Sequence, residues 1–240
     1  MKTSRNNPMV FRRILDTIAP RPCAVCGRRL ALNEEMICAA CNMHLPRTLF
    51  SANASDNLMV RLFWGKIQIE RAAAWFHFEP HSEPSKMIYK MKYADRPDYG
   101  YIMGQYLAED FMHDGFFDGI DAIVPIPISR RRKWERGYNQ SEHIAKGIAK
   151  TTGLPVFTDI VRRKSFHGSQ THRNWWERHD NVENAFILKN AEKARGKHLL
   201  LVDDVLTTGA TILSCSKELC RAGNVRISIA TLGFAGKRDI

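Results

Sequence analysis

The chain has 240 residues, 44% of them hydrophobic and 25% charged, with a formal net charge of +11 at pH 7. This composition is ordinary for a globular protein with one full domain plus a small module. No window approaches eighteen consecutive apolar residues, and the first twenty lack the apolar core and cleavage site of a secretory signal; a cytoplasmic protein without membrane insertion is expected. The charge excess is local. Residues 121–180 hold 12 Lys+Arg against 6 Asp+Glu, whereas residues 61–120 hold 7 against 9. Much of it lies in RRRKWER (130–136) and RRK (162–164), which points to an anionic partner, although RRK alone reads equally well as a solvated face.

Taken in chain order, the first feature is CAVC, eleven residues, then CAAC: Cys23, Cys26, Cys38 and Cys41. Two CxxC knuckles on one short hairpin can close a tetrahedral thiolate shell around structural zinc. Two disulfides would need an export signal, and a redox CxxC would need no partner pair. His44 offers a further nitrogen, but four thiolates suffice. A polar stretch, SANASDN (51–57), follows, so the expected division is a zinc ribbon module over 1–55 and an α/β domain over 56–240.

From residue 67 the pattern alternates. Residues 67–78 read as a strand, 82–94 and 98–114 as helices, and AIVPIP (122–127) as a strand cut off by prolines. A basic loop is then expected, followed by a helix over 139–153 stopped by Gly153. AFILK (185–189) and HLLLVDD (198–204) read as strands, 209–223 as a helix, and VRISIATLGF (225–234) as the last strand. Cys215 and Cys220 read as helix packing residues. Such alternation predicts a parallel sheet covered by helices on both faces.

LLLVDDVLTTGAT (199–211) concentrates the chemistry. Leu199 to Val202 read as a strand buried on both faces, and the acids fall where ligands bind in open α/β sheets. The TTGAT loop entering a helix presents backbone amides to an anion, with Thr207, Thr208 and Thr211 adding hydroxyls. Gly209 permits a conformation closed to other residues. Asp203 and Asp204 repel phosphate and want donors, such as a diol or hydrated Mg²⁺. A ribose 5-phosphate supplies both. No GK[ST] follows, so this is not a Walker A loop. The plainer alternative is that Asp204 caps the helix and TTG is a turn.

VDDVLTTGAT resembles the phosphoribosyl pyrophosphate (PRPP) signature of type I phosphoribosyltransferases. The order of motifs resembles the ComF family: CxxC…CxxC, then VPIP (124–127) with RGYNQ (136–140), then Gln170 with Arg178 and Asn181, then VDDVLTTGAT. The resemblance covers about residues 20–235. It implies a type I phosphoribosyltransferase-like parallel sheet and a link to natural competence. It also implies Mg²⁺-dependent phosphoribosyl transfer with pyrophosphate release, Asp203 and Asp204 being catalytic. Thr207, Thr208, Gly209, Ala210 and Thr211 would take the ribose 5-phosphate, and Arg130, Arg131, Arg132, Lys133, Arg136 and Gly137 the pyrophosphate. Lys164, Gln170, Arg178 and Asn181 would belong to a flexible loop closing over the site.

A separate hood to grip a base is not evident, because only GFAGKRDI is left from the end of the last strand onward; the acceptor is undefined. Two other readings stay open. One is a single-stranded DNA platform using the zinc module, Trp175, Trp176 and the basic stretches, working with competence proteins. The other is a PRPP or nucleotide sensor without chemistry.

Overall fold

The computed structural model describes residues 19–164 and 185–236. Its centre is a four-stranded, wholly parallel sheet. In chain order the strands are β1 (Arg71–His77), β2 (Ala122–Pro125), β5 (His198–Leu206) and β6 (Arg226–Phe234), laid side by side as β1-β6-β5-β2. β6 is buried at every position after Arg226, as a strand covered on both faces must be. Alternate residues feed two cores. Trp75, Leu200, Val202, Ala230 and Leu232 enter one, and Ala74, Leu199, Leu201, Ile227 and Ile229 the other.

The first core is closed by α3 (Ser85–Tyr93), α4 (Pro97–Met112) and α6 (Gln140–Thr152), together with the cysteine-bearing segment. α4 and α6 cross almost backbone to backbone. A Cβ on Gly104 would sit 2.2 Å from the Ile144 carbonyl oxygen, and one on Gly147 2.0 Å from that of Tyr101. Only glycine fits either position, and the crossing fixes α6, whose first turn reaches the acid pair. The second core is closed by α2 (Leu58–Arg61), by α8 (Ala210–Cys220), and by a hairpin of β3 (Val161–Arg163) with β4 (Phe186–Leu188). Cys215 is fully buried there. A short α7 (Ala191–Ala194) leads into β5.

The parallel α/β class with flanking helices and an N-terminal cysteine cluster is therefore the one expected. Three local features differ. The segment 185–189 does form a strand, but β4 pairs antiparallel with β3 in a separate two-stranded sheet. β5 does not stop at the acids: it runs on to Leu206, with Asp203 opposite Thr231. The basic stretch is not a loop but a helix, α5 (Arg130–Arg136). Ser129 caps it, its hydroxyl accepting from the Arg132 amide at 3.3 Å. Arg131 and Glu135 pair one turn apart at 2.7 Å, and Gly137 ends it at φ 76°. Charge masked a sequence of good helix formers with a serine cap and a glycine stop.

Residues 46–57 cover the free edge of β1. The His77 amide donates to Pro46 at 2.8 Å and Arg47 bridges Phe76. Asn57 donates from Nδ2 to Ala72 at 2.8 Å, while its Oδ1 accepts from Met59 and Val60, capping α2. An edge so covered offers no template for another strand. Among the described residues no helix is long and apolar enough to cross a membrane.

Candidate functional site

The cysteine cluster is built by tight turns. Cys23 donates its amide to Arg28 at 2.7 Å, with Gly27 left-handed at φ 76° between them. Glu34 accepts from the Ala31 and Ala39 amides at 2.7 and 2.6 Å, joining the knuckle to α1 (Ala39–Met43). The ligand atoms of Cys23, Cys26, Cys38 and Cys41 all lie within 4.8 Å of one another, and Cys26 and Cys38 are 3.8 Å apart. A tetrahedron with Zn–S near 2.3 Å has sulfur edges of about 3.8 Å. The four thiols thus fit a zinc ion. Arg28 donates to Cys26 at 3.5 Å, and these hydrogen bonds lower the Cys26 thiol to about 6, favouring the thiolate a metal needs. Burial pushes Cys41 the other way. His44 instead bonds through Nδ1 with the Ala40 carbonyl oxygen at 2.8 Å. The cluster is not an isolated bead: Met36, Ile37 and Leu45 share a core with Met87, Met91 and Met103, and Lys90 donates to Ala24 at 2.9 Å.

The acid pair lies where β5 outruns its neighbour. The β2–β5 ladder ends at Pro125 opposite Val202, with one more bond from Ile126 to Val202 at 2.9 Å. Beyond it the start of α6 takes β2's place. Asn139 caps that helix by accepting from the Ser141 amide at 3.2 Å, and donates to Ile126 at 3.1 Å. Ser141 is thereby aimed at β5. Its hydroxyl donates to Asp203 Oδ1 at 3.0 Å, and the Asp204 amide donates to the same oxygen at 2.9 Å. Loss of solvent and the neighbouring Asp204 charge together push the Asp203 carboxyl up to about 7. Asp204 pairs instead with Lys92, Oδ2 to Nζ at 3.0 Å.

Past Leu206 the backbone turns into α8. Thr207 and Thr208 are exposed, and Gly209 is left-handed at φ 76°. A Cβ there would meet Phe63 at 3.0 Å, so glycine is needed for both conformation and space. The N-cap of α8 is Gly209, which has no side chain to cap it, and the Thr208 hydroxyl accepts from the Ala210 amide at 3.5 Å. The first amides of α8 and the threonine hydroxyls stand beside the two acids on one sheet edge.

α5 divides the basic residues. Arg132 and Arg136 line a pocket of about 400 Å³ with Lys92, Tyr93, Asp95 and Tyr138. Arg130 and Lys133 line another of about 380 Å³ with Arg162, Arg163 and Lys189. Arg131 lines neither pocket and pairs with Glu135, which borders the first. A helix cannot turn five near-consecutive side chains toward one ligand. Arg163 is more withdrawn from water than its neighbours; burial, then the nearby Arg132, lowers its pKa, while Asp203 opposes the shift. Lys164 closes the hairpin with a backbone bond to Ala185 at 2.8 Å. Gln170, Trp175, Trp176, Arg178 and Asn181 lie outside the described residues.

Lys92 and Ser141 were not singled out by the sequence, whereas Tyr138 lies inside RGYNQ without a role assigned to it. Ser141 adjoins RGYNQ and was within reach of that motif. Lys92 had no local signal, since what marks it is a partner from a distant strand.

Structure and motif define an α/β protein with a tetracysteine cluster and an acid pair set beside the start of α8. No family model matches the chain. The DNA utilization protein YhgH of Escherichia coli K12 is 26% identical over 220 residues, covering 88% of this chain and 95% of that protein. Competence protein F of Haemophilus influenzae is 33% identical over 116 residues, covering 48% and 51%. Competence protein ComFC of Bacillus subtilis is 32% identical over 101 residues, covering 42% and 39%. These relatives, at modest identity, support a ComF-family assignment for the chain. Among solved structures, a hypoxanthine phosphoribosyltransferase from Staphylococcus aureus is 20% identical with a TM-score of 0.36, covering 58% of this chain and 69% of that one. The glutamine PRPP amidotransferase of Bacillus subtilis also has a TM-score of 0.36 at 20% identity, covering 54% of this chain and only 25% of that one. Likeness at that level carries no argument about chemistry.

Proposed function

We propose that this protein binds PRPP at the β5 edge and transfers its phosphoribosyl group to an acceptor, releasing pyrophosphate. One observation carries the reading: two carboxylates stand a few residues from the start of a helix entered through a left-handed Gly209 and two exposed threonines. A ribose 5-phosphate presents a diol to the first and a phosphate to the second. Thr207, Thr208, Gly209, Ala210 and Thr211 would seat the phosphate, and Asp203 and Asp204 would orient the ribose. A negatively charged edge also suits the positive charge that builds on the ribose as the C1–O bond to pyrophosphate breaks. Arg132 and Arg136, which share a pocket with Lys92, would take the leaving group, while Arg130 and Lys133 face another pocket. Asp203 and Asp204 would help hold a Mg²⁺ ion, whose charge would stabilise the leaving group. Residues 1–55 form, in this reading, a zinc-held module built onto the domain of residues 56–240.

Calorimetric titration of PRPP with Mg²⁺ into wild type and an Asp203→Asn, Asp204→Asn variant tests this. Binding by wild type alone is the expected result, followed by an acceptor screen read as pyrophosphate release. PRPP binding without release under any acceptor would favour a sensor.

A second reading has its own observation. Tyr89 and Tyr93 stack at 6.5 Å and 25°, His81 lies 6.5 Å from Tyr89, and Arg136 sits 5.4 Å over Tyr93. Trp134 is 87% exposed nearby in sequence. Rings interleaved with cations suit single-stranded DNA, and relatives bear DNA utilization and competence names. Salt-dependent binding of an oligonucleotide, lost in Tyr93→Ala, is the result that reading requires.

A further inference from the structure

Lys92 lies at the last turn of α3, in the stretch KMKYAD, and none of the recognised motifs includes it. Its Nζ is 3.0 Å from Asp204 Oδ2, and the two side chains are only 18% and 16% exposed. The helix beneath it is pinned at two points. Lys90 donates to Ala24 in the cysteine segment, and the Tyr138 hydroxyl donates to the Met91 carbonyl oxygen. Lys92 therefore reaches the acid from a fixed backbone. It also lines the pocket of about 400 Å³ that Arg132 and Arg136 border, a volume within the range of small-ligand sites.

A shielded ion pair is costly to break unless both partners are re-paired. A diol alone would satisfy Asp204 but strand the ammonium. A phosphate alone would attract Lys92 but strand the carboxylate. A ligand that carries vicinal hydroxyls next to a diphosphate satisfies both at once.

We propose that Lys92 is a ligand-binding residue of this site, an ammonium that neutralises Asp204 in the free protein and transfers to the diphosphate of the incoming ligand. The inference rests on the phosphoribosyl reading above and deepens it. Lys92, Arg132 and Arg136 then face the diphosphate from one pocket, whose lining also holds Asp95 and Glu135, while Asp204 beside Lys92 takes the diol. Selection follows from the exchange: ribose 5-phosphate lacks the diphosphate, so it leaves Lys92 on Asp204.

The test titrates PRPP, inorganic pyrophosphate and ribose 5-phosphate separately into the full chain as wild type, Lys92→Gln and Lys92→Arg. Glutamine removes the charge but keeps a donor for Asp204, and thermal melting checks that each variant is folded. Lys92→Gln should lose at least about tenfold in affinity for PRPP and pyrophosphate, the scale of one charge-assisted hydrogen bond. Ribose 5-phosphate affinity should stay within about twofold, and Lys92→Arg should recover part of the PRPP loss. Equal losses for all three ligands would make Lys92 merely structural, and unchanged PRPP affinity would remove it from the site; either overturns the proposal while leaving the phosphoribosyl reading intact. A wild type that binds neither PRPP nor ribose 5-phosphate overturns both.

Discussion

Asp203→Asn should stabilise the fold above neutral pH while removing ligand binding. The Asp203 carboxyl is raised to about 7 by loss of solvent and by Asp204, against about 3.9 in an unfolded chain. A raised carboxyl contributes fully to stability below the unfolded value and loses that contribution as pH climbs through the folded one. At 1.36 kcal/mol per pH unit, the wild type gives up about 4 kcal/mol between pH 4 and pH 8, shared with Asp204 because the two titrate together. Water reaching the half-buried edge reduces this to about 1–3 kcal/mol. Asparagine can keep both bonds, its Oδ1 accepting from Ser141 and from the Asp204 amide, and it carries no charge. Urea unfolding of both proteins at pH 5 and pH 8 reads the difference. About a third of the loss falls below pH 5, so the variant's advantage over wild type should grow by about 1–2 kcal/mol from pH 5 to pH 8. A variant equally destabilised at both pH values would refute the assignment of Asp203 as a strained, functional carboxylate.

Three other perturbations follow from the packing. Gly147→Ala drives a methyl into the Tyr101 carbonyl oxygen, 2.0 Å away, and should cost about 3 kcal/mol or more in chemical denaturation while shifting Ser141 off Asp203. Gly209→Ala forces alanine to φ 76° against the buried Phe63 ring; about 1–3 kcal/mol should be lost in melting experiments, together with phosphate affinity. Zinc should be present at one per chain by elemental analysis, and its removal by a strong chelator should expose Met36 and Ile37 and loosen α3, seen as faster amide exchange in both segments. Unchanged exchange after complete metal removal would mean that packing alone holds the cluster.

Sequence reading went furthest where one physical signal dominates. Apolar runs such as Leu199–Val202 mark strands buried on both faces, and CxxC spacing brings four thiols together whatever surrounds them. It went less far where the decisive fact is a partner. RRRKWER looks like a solvated loop until Ser129 and Gly137 are weighed as a cap and a stop. AFILK is as apolar as a central strand, yet β4 pairs only with β3. The end of β2 at Pro125, rather than any feature of β5 itself, opens the edge at Asp203 and lets Ser141 approach. Lys92 is one of several lysines on α3, and only the fold distinguishes it by bringing Asp204 alongside.

Phosphorus NMR of PRPP titrated with the protein tests the central claim most directly, because the 5′-phosphate and the diphosphate give separate resonances. The account predicts that both shift on binding to wild type, that Gly209→Ala abolishes the 5′-phosphate shift first, and that Asp203→Asn with Asp204→Asn abolishes both. Resonances unmoved by the wild-type protein, or moved equally by the double asparagine variant, would contradict it.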